Sequence, residues 1–135
     1  KIILSGHSGG YAVISSILAV GGITQPVSEV WLFDALYGQT EKFQNWFACS
    51  GGRFIDLYTA NGGTKTETEN LINNLKVKEI DFLTAQEATV SQKELRENRL
   101  IFLFSELPHD EVLQRHKTFL QFLQTSSLLN VPSQK

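Results

Sequence analysis

The stretch Lys1-Ile2-Ile3-Leu4-Ser5-Gly6-His7-Ser8-Gly9-Gly10-Tyr11, which runs on as AVISSILAV to Val20, decides how this chain is read. The run from Lys1 to Ser5 is apolar and carries the β-branched Ile2 and Ile3, the make-up of a short strand. Gly6 to Gly10 form a glycine-rich turn of the pattern G-x-S-x-G. Residues 11–20 read as a helix that is apolar nearly all round and therefore expected to be buried, with Gly21 and Gly22 ending it. A strand, a tight turn holding a serine and an immediate helix place the Ser8 hydroxyl beyond the end of the sheet. Small neighbours are expected there because strand and helix approach closely. The helix start also brings the positive end of its dipole towards any negative charge that develops at the turn.

Outward from this turn, apolar runs alternate with helical patterns. Strands are expected over residues 29–33 (EVWLF), 53–59 (RFIDLYT) and 99–104 (RLIFLF), with a half-exposed edge strand over 78–83 (KEIDFL). Helices are expected over 40–48, with Phe43, Trp46 and Phe47 on one face, and over 66–75, with Leu71, Ile72 and Leu75 inward. A short helix is expected over 91–97, and a last one over 110–125, capped by Asp110 and lined by Val112, Leu113, His116, Phe119, Leu120 and Leu123. Strands alternating with helices imply an α/β fold with a mostly parallel sheet and helices on both faces. Residues 1–135 read as one domain, with a frayed tail over 131–135.

Composition narrows the function. A net charge of −2 and no cluster of Lys and Arg argue against nucleic-acid binding. No apolar run reaches the about 18 residues that a membrane-spanning helix needs. Cys49 is the only cysteine and reads as a small, partly buried residue rather than a reactive thiol. No metal or organic cofactor is implied. The chain starts inside an apolar run and contains no Met, which reads as processing or truncation.

The G-x-S-x-G turn in its strand and helix context resembles the nucleophile elbow of the α/β-hydrolase family. Chymotrypsin-like proteases carry a similar Gly-Asp-Ser-Gly-Gly, but His7 stands at the aspartate position here and the plausible base follows the serine in the chain. A phosphate-binding loop would continue into Gly-Lys-Ser or Gly-Lys-Thr, and this turn does not. The resemblance implies that the chain is the C-terminal half of the fold, from the elbow onward, with the front strands absent. It implies a serine hydrolase cleaving an ester, thioester or amide through an acyl-enzyme. Ser8 is the implied nucleophile and His109, in the loop after the last strong strand, the implied general base. The Gly9 N–H is one implied oxyanion donor.

The acid is less direct. The family's usual position follows the strand over 53–59, where Ala60-Asn61-Gly62-Gly63 holds no carboxylate. Asp34, after Trp31-Leu32-Phe33, matches the alternative placement of pancreatic-lipase-like members and is the expected acid. Asp34 as a turn cap is the competing structural role, and Asn61 is the fallback orienter. The second oxyanion donor would come from a loop upstream, and the strand from Lys1 to Ser5 would have an open apolar edge. Such an edge invites either an N-terminal half or self-association. The implied partner is otherwise a small-molecule acyl substrate, with Trp31, Tyr37, Phe43 and Trp46 lining a pocket or simply filling the core.

Three other readings compete. An acyltransferase would use the same groups. A catalytically inactive hydrolase-like fragment or binding module would use the scaffold alone. A nucleotide-binding domain is disfavoured by the missing phosphate signature.

Overall fold

A computed structural model describes residues 1–129, so the tail over 131–135 lies outside the described residues. The strands are β1 (Ile2–His7), β2 (Val27–Phe33), β3 (Arg53–Thr59), β4 (Leu83–Gln86) and β5 (Leu100–Ser105). They form one sheet in the order β1-β2-β3-β5-β4, and every pairing is parallel. The α/β class and parallel sheet expected from the alternation of elements are what the chain adopts.

The two faces of the sheet bury different residues because successive side chains on a strand point oppositely. Val30, Leu32, Phe54 and Phe102 face the helices α1 (Gly10–Val20), α2 (Thr40–Ser50) and α3 (Lys65–Val77). Trp31, Phe33, Ile55, Leu57, Ile101 and Leu103 face α4 (Gln92–Glu97) and α5 (Thr118–Thr125), through Leu95 and Phe122. Ser91 caps α4 with a reciprocal capping box to Glu94. The expected inner faces of α2 and α3 are the buried ones.

Four local expectations are corrected. Helix α1 is not buried all round: Ile14, Ser15 and Leu18 are covered, but Val13 and Val20 are exposed. The cause is topological: among the described residues β1 is an edge strand, and α2 is the helix that packs most extensively against α1. The edge strand near residue 80 runs over Leu83–Gln86 instead of 78–83, because α3 continues to Val77 and Glu79 turns the chain with φ 55°. The expected helix over 110–125 is a short 3-10 turn (His109–Glu111), irregular turns and then α5. His116 and Lys117 are left-handed there, so Asp110 caps no long helix and His116, Leu113, Phe119 and Leu120 are exposed. Cys49 is exposed rather than partly buried.

A buried ion pair locks the end of the sheet opposite the serine turn. Glu29 is fully buried, and its carboxylate accepts from Arg53 Nη1 at 2.8 Å, from Trp31 Nε1 at 2.9 Å, and from the Ser126 and Ser127 hydroxyls. Burial by itself raises the Glu29 carboxyl, but hydrogen bonds from Ser127, Arg53 and Ser126 outweigh it and hold the group below its ordinary range. The chain after α5 is thereby fastened to β2. Among the described residues, no helix is long and apolar enough to cross a membrane.

Candidate active site

Parallel strands end together, so the turns that follow β1, β2, β3 and β5 gather on one edge of the sheet. The register aligns His7 with Phe33 and Thr59 with Ser105. Residues just beyond these positions therefore share that edge, where open α/β sheets bind ligands.

Ser8 follows β1 with φ 53°, in the left-handed region that side chains with a Cβ avoid. Its N–H is held by the Phe33 carbonyl at 3.4 Å, which places the turn beside Asp34. The close approach expected of small residues is real at Gly6, where a Cβ would stand 2.8 Å from Ile14 Cδ1 and 3.3 Å from the Gly10 backbone. It is not the reason for Gly9 and Gly10, where a Cβ would meet nothing within 4 Å. Gly9 is exposed as the N-cap of α1, and its N–H donates to no other group among the described residues.

Asp34 sits one residue past β2, fully buried, with φ 47°. Its Oδ1 accepts from the Thr59 N–H at 3.1 Å and from the Thr64 hydroxyl. Its Oδ2 accepts from the Thr59 hydroxyl at 2.8 Å and from His109 Nδ1 at 2.6 Å. Four donors converge on one carboxylate, so its burial costs little. The loop after β3, which lacks a carboxylate, presses against this one instead: a Cβ on Gly62 would lie 1.9 Å from Asp34 Oδ2. Asn61 is exposed in that loop and makes no hydrogen bond to His109.

His109 opens the 3-10 turn after β5 and is partly exposed. A carboxylate only accepts, so Nδ1 carries the proton shared with Asp34, and the neutral ring keeps its lone pair on Nε2. His7 stacks on this ring with centroids 4.5 Å apart and donates from Nε2 to the His109 carbonyl at 3.0 Å. His7 thus packs against His109 and steadies its backbone. Among the described residues no hydrogen bond links Ser8 to His109.

Tyr37 is the residue that sequence reasoning undervalued. Of the aromatics expected either to line a pocket or to fill the core, Trp31, Phe43 and Trp46 fill the core. The Tyr37 hydroxyl instead lies 3.4 Å from His109 Nδ1, a contact rather than a strong hydrogen bond because that proton already points at Asp34. Burial and the Asp34 charge push the Tyr37 phenol above its ordinary range, while the nearby Ser8 hydroxyl acts the other way. No periodicity in the sequence marks this role; only its position three residues beyond Asp34 hints at it.

Two hollows adjoin the site. One of about 260 Å³ lies behind His109, between the loops that follow β3 and β5, lined by Thr59, Asn61, Gly62, Ser105 and Pro108. The other, about 330 Å³, runs over β1 between Ser5, His7, Phe33, Leu113 and Phe119. Among the described residues no group of three or more His, Cys, Asp or Glu side chains converges as a metal site requires.

Compared with models of protein families, with curated proteins and with solved structures, the chain finds no match in any of the three.

Proposed function

We propose that this chain carries the reacting half of a serine hydrolase that cleaves an ester, thioester or amide through an acyl-enzyme. One observation supports it above the rest: a serine with φ 53° stands between a parallel strand and a helix, on the sheet edge where a buried carboxylate holds a histidine at 2.6 Å. Ser8 Oγ would attack the carbonyl carbon while its proton passes to His109 Nε2. His109 would then give that proton to the leaving group, and Asp34 would stabilise the charged imidazole in between. Water, activated the same way, would break the Ser8 ester. The Gly9 N–H, unengaged on the exposed start of α1, would donate to the oxyanion.

The reading extends to a partner. Among the described residues β1 pairs only with β2, which leaves its other edge open there, and Leu113 and Phe119 are exposed beside it. A further strand, from an N-terminal half or from a second copy of the chain, would cover that edge and supply the second oxyanion donor. A monomer that neither associates at high concentration nor binds such a segment counts against this extension.

A second reading is favoured by one fact, the absence of a Ser8–His109 hydrogen bond among the described residues. It makes the chain an inactive, hydrolase-like binding module.

A fluorophosphonate probe separates the two. Ser8 Oγ attacks phosphorus and displaces fluoride, so an activated serine gains the probe's mass. Labelling of the parent but not of Ser8→Ala is expected; no labelling, on this chain or with its partner strand supplied, overturns the enzymatic reading.

A further inference from the structure

We propose that Glu87 is the positioning residue that holds His109 against Asp34. His109 lies in an irregular segment between the end of β5 at Ser105 and the start of α5 at Thr118. Glu87 follows β4, its backbone N–H bonded to the Phe104 carbonyl at 2.8 Å. One of its carboxylate oxygens accepts from the Ser105 hydroxyl and the other from the Thr118 hydroxyl. A single side chain therefore grips both ends of the segment that carries the histidine. Ser105 passes the constraint on, because its oxygen accepts the Leu107 N–H at 3.2 Å, two residues before His109.

The energetics point to a geometric role. Glu87, Ser105 and Thr118 are all buried, and no basic side chain pairs with Glu87 among the described residues. A buried carboxylate without a cation is costly next to an apolar side chain of the same size. What it supplies that an apolar residue cannot is a fixed direction for two hydroxyls. The segment needs one, since His116 and Lys117 are both left-handed and no continuous helix stiffens it. Opposite Glu87 across the site, Asp34 fixes the imidazole; Glu87 fixes the backbone from which the imidazole hangs.

The catalytic consequence rests on the proposed role of His109, but the clamp can be measured without it. The Nδ1 proton shared with Asp34 gives a downfield proton resonance, assigned by its loss in His109→Gln. Glu87→Ala is expected to abolish that resonance and to slow fluorophosphonate labelling at least 10-fold. Glu87→Gln, which still engages both hydroxyls, is expected to restore the resonance and most of the rate. Glu29→Gln, at the far end of the sheet, serves as the destabilised control and is expected to keep both. Should Glu87→Ala fail to fold, Ser105→Ala and Thr118→Val each release one end of the segment and are expected to broaden the same resonance. An unchanged resonance in folded Glu87→Ala overturns the clamp, as does its equal loss in Glu29→Gln. If the wild type does not label but the resonance depends on Glu87, the hydrolase reading fails and the clamp stands.

Discussion

His109 Nδ1 and Asp34 Oδ2 lie 2.6 Å apart although the two residues are 75 positions apart in the chain. Asp34 already accepts three other hydrogen bonds, from the Thr59 N–H and hydroxyl and from the Thr64 hydroxyl. Its position is therefore set by the protein around it, and the imidazole adapts to the carboxylate. Asp34→Asn keeps the shape but offers no second acceptor of the same strength, and it favours the wrong tautomer of His109. Labelling at Ser8 is expected to slow by about 1,000-fold or more, measured as a pseudo-first-order rate with folding checked by circular dichroism. An unchanged rate removes Asp34 from the mechanism.

Ser8 is held with φ 53°. That conformation costs an L residue about 1–2 kcal/mol, while glycine adopts it freely and loses part of the gain to its larger unfolded-state entropy. Ser8→Gly is expected to be more stable than Ser8→Ala by roughly 1 kcal/mol, a few degrees in Tm, and neither variant takes up probe. Equal melting temperatures would show that the turn stores no strain.

Gly62 is fixed by contact with Asp34. A methyl group there would stand 1.9 Å from Oδ2 and 2.5 Å from the Thr59 hydroxyl oxygen, so backbone or carboxylate must move. Gly62→Ala is expected to lower stability by about 1–3 kcal/mol and to shift the His109 Nδ1 proton resonance. A variant as stable as wild type with an unshifted resonance would mean that the loop relaxes freely.

Asp56 gives a pH dependence. It is fully buried in the middle of β3, with Thr68 donating to Oδ2 at 2.6 Å and Oδ1 without a partner among the described residues. Burial pushes its carboxyl up from 3.8 to about 7, with the Asp34 charge adding to the rise and the Thr68 hydrogen bond opposing it. The raised folded value sets the sign. Below about pH 4 the group is neutral in both states and no penalty exists. As pH rises towards 7 the unfolded chain ionises first, and stability falls by up to roughly 4 kcal/mol. Asp56→Asn removes this slope. Urea unfolding at pH 5 and pH 8 should show wild type losing stability against the variant between the two. Parallel behaviour would mean that Asp56 titrates normally.

The sequence by itself determined the α/β class, the strand and helix alternation, and the serine turn. These are local matters: hydrophobic period, glycine placement and β-branched runs act within a few residues. It also brought forward Asp34 over Asn61, because Asp34 is a carboxylate at the exit of the strand that follows the serine unit, whereas Ala60-Asn61-Gly62-Gly63 after the next strand holds none. It misjudged α1, residues 78–83 and residues 110–125, where an edge position or a left-handed pair overrides local preference. The tertiary structure alone decided that β5 lies between β3 and β4, and so that the loop after β5 meets Asp34 across the end of β3. It decided as well which hydroxyls surround the carboxylate, and that Glu87 reaches both ends of the His109 segment. Such pairings depend on strand order and register, which no single segment encodes; they form only once the parallel sheet brings the ends of distant strands together.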